Sequence, residues 1–256
     1  MQKYTLMSFN VRMQTLVDLK QQFMNRVDFL TDYLKETAPD VCGFQELSHT
    51  MRLEILKRMP GYGILGGGRE KDRRGEAAAI LYKEDRLMPE RVFTEMLSYA
   101  PHVPGSTYGG DQSGCPRVFT SVDFVPFNSG KAFRFMNVHL DHIGVDARKL
   151  ELAQLLRSFD EQQALRPMPT ILTGDFNVLP DAEELKLIDA HGAFTDLTKD
   201  VPGTFHFFGK LDEPKKIDYI YAAGRYECTG ARLDHKMRDG LYLSDHDPVI
   251  AEVRLP

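Results

Sequence analysis

Residues 170–180 read TILTGDFNVLP and residues 243–250 read LSDHDPVI, and both stretches place ionisable side chains where an apolar run meets a turn. The first has the composition of a short strand bounded by turn residues. Residues two apart in an extended segment share a face, so Asp175 and Asn177 are expected to converge while Phe176 points into the core. In the second, Asp245, His246 and Asp247 precede a strongly apolar strand over residues 248–254, with a simple turn as the plainer reading.

Further strands are expected at residues 4–11, 40–46, 76–82, 118–125, 132–139 and 216–222. Helical spacing links Phe23, Val27, Leu30 and Leu34, which Pro39 closes off, and Leu152, Leu156 and Phe159, with shorter periodic stretches at 51–59 and 183–188. Strands alternating with helices early, then following one another near 118–139, indicate an α/β (α+β) protein with mixed sheets and helices outside. Residues 98–116 are rich in Gly, Pro and Ser without periodicity and read as a long loop, which is usually functional or mobile. Residues 66–76, GGGREKDRRGE, read either as the border of an anion site or as a solvated hairpin end.

The 256 residues carry 32 Lys or Arg against 37 Asp or Glu, a formal charge of −5, with 42% apolar residues. That balance is expected of one soluble globular domain. No apolar run approaches the ~18 residues of a membrane-spanning helix. The N-terminus lacks the basic flank and apolar stretch of a secretory signal, and the three cysteines (Cys42, Cys115, Cys228) are widely spaced. A reducing, cytoplasmic setting without a disulfide framework or Cys-based zinc site is therefore expected. An anionic substrate on this slightly acidic chain calls for a metal ion.

Unusual polar residues recur at the ends of expected strands: Asn10, Glu46, His139, Asp175 with Asn177, Asp218, and Asp245 with His246. Singly, each is an ordinary strand-end, capping or salt-bridged residue. Together, four carboxylates, two asparagines and two histidines in equivalent places indicate a hard-cation site with a catalytic histidine, because oxygen ligands suit Mg²⁺ or Mn²⁺.

At these residues the sequence resembles the endonuclease/exonuclease/phosphatase superfamily of metal-dependent phosphoesterases, which includes deoxyribonuclease I, sphingomyelinases and messenger-RNA deadenylases. The matching segments run in order along the chain: SFNVR, GFQEL, NVHLDH, GDFNVLP, IDYIYA and SDHDPV. GDFN with a C-terminal SDH is the specific pair. The resemblance implies a single-domain, four-layer α/β sandwich of two mixed β-sheets packed face to face with flanking helices.

It further implies that Glu46, Asn10 and Asp245 serve the metal, Mg²⁺ or Mn²⁺. Asp175 would orient and deprotonate water, Asn177 would hold that water and the phosphoryl group, and His139 would donate to a non-bridging oxygen. His246 would contact the phosphate, with Asp218 fixing its tautomer and favouring its protonated form. Asp175 and His246 both remain open as the general base.

A looser similarity, to a bacterial branch nearest the deadenylase-like members, covers Glu76, Arg117, Arg148 and His206 as substrate-binding positions. Arg117 and Arg148 would supply positive charge to a substrate phosphate or orient Glu46 and Glu76; their plain role is an ordinary surface ion pair.

Two rival readings exist. Asn137–Val–His139–Leu–Asp141–His142 looks like the HxHxDH motif of metallo-β-lactamase-like zinc hydrolases, although Asn137 replaces the first histidine. A catalytically silent phosphate- or nucleic-acid-binding module of the same fold is the other. The absence of Trp leaves Tyr62, Tyr108, Phe205, Phe207 and Phe208 as stacking or core side chains. Without a long basic stripe, a small or single-stranded phosphoester acted on by a monomer is expected rather than duplex DNA.

Overall fold

The computed structural model describes every residue from Met1 to Pro256. In chain order its first half forms β1 (Gln2–Asn10), α1 (Phe23–Thr37), β2 (Val41–Leu47), α2 (His49–Arg58), β3 (Tyr62–Leu65), β4 (Ala77–Lys83), β5 (Leu87–Met96) and β6 (Val118–Pro126). Next come β7 (Phe133–His139), α3 (Val145–Leu165), β8 (Thr170–Asp175), α4 (Lys186–His191) and β9 (Phe194–Asp196). The chain ends with β10 (Asp218–Ala223), β11 (Glu227–Leu233), β12 (Met237–Arg238), β13 (Leu241–Tyr242) and β14 (Val249–Leu255).

One six-stranded sheet runs β11-β14-β1-β2-β4-β3 and the other β5-β6-β7-β8-β10-β9. Only β1–β2 and β7–β8 pair in parallel, so both sheets are mixed. The eight expected strands form with ends shifted by a residue or two. Unanticipated β5 and β11 are edge strands: Pro89 and Glu90 interrupt the pattern of one, and the other is exposed almost throughout. Such edges carry little apolar signal because one side faces water.

Alternate residues of each central strand feed different layers. Tyr4 and Leu6 of β1, Phe133 and Phe135 of β7, Ile171 of β8, Ile220 of β10 and Val249, Ala251 and Val253 of β14 form the core between the sheets. Their neighbours Met7 and Phe9 pack under α1 and α2, while Met136, Val138, Leu172, Tyr219 and Tyr221 pack under α3. The result is a helix–sheet–sheet–helix sandwich. Each fully buried Leu or Phe contributes about 1.5–3 kcal/mol, which makes burial on both sheet faces the main source of stability. No helix is long and apolar enough to cross a membrane.

Local signals end the helices. The α1 chain leaves through Ala38 in the left-handed region (φ 46°), whose N–H reaches Leu34 O at 2.8 Å, and Pro39 follows. Ser48 caps α2 by accepting from Met51 N–H. The N-terminus of α3 is capped from outside: Asp111, on the 98–116 loop, accepts the N–H groups of Asp146 and Ala147, both at 2.9 Å. That loop is thereby tied to the scaffold, and it forms no helix or strand, as expected.

Midway between the sheets the apolar layer gives way to a polar one. Asn137 donates to Phe44 O and Ala79 O at 2.8 and 2.9 Å and accepts from Gln45 and Thr173 at 2.7 and 3.0 Å. Gly43 is required there, since a Cβ would lie 2.2 Å from Thr173 Oγ1. Asn137 is thus a satisfied bridge between the sheets, so the HxHxDH reading of residues 137–142 has lost its first ligand to the core.

Candidate active site

One step beyond this polar layer, the inward-facing rows of β1, β7, β8 and β10 end in Asn10, His139, Asp175 and Asp218. The parallel pairing of β7 with β8 sets His139 opposite Asp175, and the antiparallel β10 sets Asp218 opposite Asp175. A pocket of about 370 Å³ opens above them, lined among others by Arg12, Glu46, Arg69, Glu76, Arg117, His139, Asp175, Asn177, Asp245 and His246. Asn10 and Asp218 support it from beneath.

Glu46 reaches the pocket by a bulge. In regular extended chain it would share a face with Cys42 and Phe44, which pack under the helices. The register shifts between Phe44 and Leu47, and Glu46 takes a left-handed φ of 61°. Leu47 fills the helix-side core in its stead. One Glu46 oxygen accepts Met13 N–H at 2.8 Å and the other the Asn10 amide at 3.2 Å.

Asn10 organises two carboxylates, since its Nδ2 also donates to Asp175 at 2.9 Å while its Oδ1 accepts Arg12 N–H at 3.0 Å. The expected convergence of Asp175 and Asn177 occurs by a different route from simple pleating. Asn177 lies past the strand in the left-handed region (φ 54°), its N–H donates to Asp175 Oδ1 at 3.0 Å and its Nδ2 to Leu140 O at 3.0 Å. Phe176 is buried beneath them, as its position predicts.

His246 is buried at the edge of the pocket, and its Nδ1 donates to Asp218 at 2.8 Å while Nε2 lies 3.7 Å from Asp175. Burial alone would lower its pKa, but Asp218, Asp175 and Asp245 override this and push it up to about 10. His139, whose Nε2 is 3.6 Å from Asp175, goes the opposite way: burial, reinforced by Arg117 and Arg69, holds it well below the ordinary histidine value. Burial, with the nearby Asp218 charge, raises Asp175, and burial, with Glu46, raises Asp245. One histidine is therefore cationic and the other neutral at neutral pH, over carboxylates in need of positive charge.

Arg12, part of the SFNVR segment, is a site residue that sequence reasoning left without a role. It is held by Asp18 at 2.9 and 3.1 Å, and its guanidinium lies 3.9 Å from Glu46 and 3.7 Å from Asp245. Arg69 was likewise missed, although its position in the GGGREKDRRGE loop was the available signal; it pairs with Glu76 at 2.6 Å. Arg117 lines the pocket beside His142, 2.7 Å from its Nδ1.

Arg148 and His206 lie outside the pocket lining. Arg148 is buried against Glu184 at 2.8 Å and donates to Asp141 O at 3.0 Å, which supports the His139–Asp141 turn from behind. His206 packs against Tyr242 and lies 3.4 Å from Asp247. With His235, these two form a group close enough to share an ion. Gly209 N–H, however, donates to His206 Nδ1 at 3.1 Å, which leaves the proton of the neutral ring on Nε2, facing Asp247. With Nδ1 taken by Gly209, the ring presents an N–H rather than a lone pair to the Asp247 side, 3.4 Å away and without a hydrogen bond, so it is not poised as a ligand. Of the aromatic candidates, Phe205 and Phe207 line the pocket.

Residues 7–246 match the Endonuclease/Exonuclease/phosphatase family. The chain belongs to that family. No curated protein matches the sequence. Among solved structures, an endonuclease/exonuclease/phosphatase from Bacteroides vulgatus is 27% identical, covers 100% of both chains and superposes with a TM-score of 0.92. The mannosyl-6-phosphatase of Bacteroides thetaiotaomicron is 26% identical over 98% of this chain and 100% of its own, with a TM-score of 0.89. Human Nocturnin, at 18% identity over 99% of this chain and 94% of its own catalytic domain (TM-score 0.77), shares the fold. Family membership also sets aside the zinc-hydrolase alternative raised by residues 137–142.

Proposed function

We propose that this protein is a Mg²⁺- or Mn²⁺-dependent phosphoesterase that hydrolyses a small phosphoester by in-line attack of water. The observation that carries the reading is the Asn10 amide bridging Glu46 and Asp175 in the pocket that also holds the Asp218-paired His246. The similarity to a mannosyl-6-phosphatase adds a phosphomonoester to the candidate substrates.

Glu46 and Asp245, with Asn10 beside them, suit a hard divalent cation: the donors are oxygens, Asp245 is buried and Glu46 nearly so, and Arg12 lies 3.7–3.9 Å from both. The ion's contribution is to neutralise charge on the phosphoryl oxygens. Asp175, anchored by Asn10 and Asn177 and raised in proton affinity by burial, takes the proton of the attacking water. Asn177 Oδ1 has no protein partner, because the amide is tethered through Nδ2, and it accepts from the same water. His246, kept protonated by Asp218, donates to a phosphate oxygen, and neutral His139 donates to a second. The fixed cation on His246 makes Asp175 the general base of this scheme.

The test is hydrolysis of phenyl phosphate and of bis(p-nitrophenyl) phosphate with Mg²⁺, Mn²⁺, Zn²⁺ or chelator, alongside Asp175→Asn. Turnover that requires Mg²⁺ or Mn²⁺ and disappears in the variant supports the proposal. Turnover retained in chelator, or unaffected by the variant, overturns it.

A further inference from the structure

We propose that the Arg69–Glu76 pair, assisted by Arg117, reads hydroxyl groups on the leaving group of a phosphomonoester, so that the substrate is the phosphate of a small cyclic polyol. This rests on the phosphoesterase reading and extends it to the part of the pocket where no chemistry on phosphorus is placed.

Charge decides against a second phosphate. Each pocket arginine already faces a carboxylate: Arg12 faces Asp18, Arg69 lies 2.6 Å from Glu76, and Arg117 lies 3.6 Å from Asp141. A polyanionic strand needs uncompensated positive charge along its track, and this pocket offers none. The wall is instead a neutral array of strong donors and acceptors.

The hydrogen-bond inventory then points to hydroxyls. Glu76 and Arg69 side chains are only 11% and 12% exposed. Arg69 occupies Glu76 Oε1, whereas Oε2 has no protein donor. The Nε groups of Arg69 and Arg117 are turned toward Glu70 and Asp141, at 3.9 and 3.6 Å, while both residues line the pocket together with Glu76. A free carboxylate oxygen beside guanidinium donors matches a group that both donates and accepts, which is what a hydroxyl does and a phosphate oxygen cannot do.

A different wall is apolar. Phe205 lies 4.8 Å from the His246 ring and 6.0 Å from Phe207, and Phe207 is held in the left-handed region at φ 48°. Left-handed backbone at a bulky non-glycine residue is strained and concentrates at ligand clamps. These rings supply a surface for the C–H face of a sugar-like ring. The volume of about 370 Å³ is near the lower end of small-molecule pockets and suits a single ring with its phosphate.

The experiment compares kcat/KM, with Mg²⁺, for mannose 6-phosphate and glucose 6-phosphate against cyclohexylmethyl phosphate, which keeps the ring and the CH₂–O–P linkage but lacks hydroxyls. A site built to bond hydroxyls discriminates strongly against analogues lacking them, and here a preference of at least ~100-fold is expected. Glu76→Gln is expected to reduce that ratio by at least ~30-fold; because misfolding lowers both rates together, the ratio isolates recognition. A native ratio near unity, a ratio unchanged in Glu76→Gln, or a tenfold preference for a nucleoside 5′-phosphate over both hexose phosphates overturns the proposal. If no ester is turned over, the phosphoesterase reading fails on its own. Calorimetric titration of the same compounds still decides the recognition claim, with the hexose phosphates expected to bind at least tenfold more tightly and equal affinities overturning it.

Discussion

The Nδ1 of His246 donates to Asp218 at 2.8 Å, and the two residues flank or open strands of different sheets. Asp218 opens β10, whereas His246 sits three residues before β14, so this bond closes the site across the sandwich. Its loss is expected to lower kcat by about 10³-fold or more in Asp218→Asn, because the ring loses both its tautomer and its charge. KM should change far less. Steady-state kinetics decide the matter, and near-native turnover in the variant would remove Asp218 from the machinery.

Removing the Asn10 amide leaves Glu46 Oε1 and Asp175 Oδ2 without that donor. Asn10→Ala is expected to cost about 1–3 kcal/mol of stability and to slow turnover by roughly 10²-fold. Denaturant unfolding and rate measurements on the same preparation check both. A variant equal to the native protein in rate would show that the bridge is structural only.

Divalent cation is expected to stabilise the fold through Glu46 and Asp245. At a Mg²⁺ concentration 100 times its Kd the gain is ~2.7 kcal/mol, read as a rise in Tm at pH 7.5. Glu46→Gln should abolish most of that rise. An equal rise in both proteins would locate the ion elsewhere.

Glu151 provides a pH-dependent contribution to stability away from the metal residues. It is buried in α3, one oxygen accepts Asp141 N–H at 2.8 Å, and the other has no partner. Burial raises its pKa from 4.5 to about 8. The folded state thus holds this proton more tightly than the unfolded chain, so the contribution is complete below about pH 4.5 and is lost as the pH rises through about 8. Glu151→Gln, which cannot ionise, should flatten that part of the stability profile measured by urea unfolding. An unchanged slope between pH 5 and 9, taken as roughly this linkage window, would rule out Glu151 as its source.

Arg134 and Asp123 form a bidentate pair in the sheet of β6 and β7, at 2.7 and 3.1 Å with both side chains buried. Arg134→Met alone is expected to cost about 3–5 kcal/mol, because it strands a buried carboxylate. Combined with Asp123→Leu the cost should shrink. Chemical denaturation of the three variants gives the answer, and an additive double variant would contradict it.

Much of the scaffold was legible from alternation. In TILTGD and FRFMNVH apolar residues occur in both alternating rows, Ile171 against Leu172 and Phe133 and Phe135 against Met136 and Val138, so both faces are buried and the strands are central. GDFN and SDH could be read as chemistry because ionisable residues rarely follow such strands without a partner. Edge strands β5 and β11 were not legible, since exposed residues obey no burial pattern. The placement of Arg148 was misjudged for a related reason: an arginine on a helix gives no sign in the chain that Glu184, 36 residues away, will bury it.

By itself the sequence determined which residue types lie at the ends of the central strands, since pleating forces residues of one parity, such as Tyr4, Leu6, Ser8 and Asn10, onto one face. It also showed that those residue types, oxygen donors beside histidines, are of the kind that suits a hard cation. Only the tertiary structure decided that Glu46 turns into the pocket, because regular pleating places it with Cys42 and Phe44, and a bulge with a left-handed φ of 61° reverses that. It alone joined Asp218 to His246 and Arg69 to Glu76, and drew Arg148 and His206 away. Those partnerships depend on strand register and loop closure, which are set by packing between residues far apart in the chain.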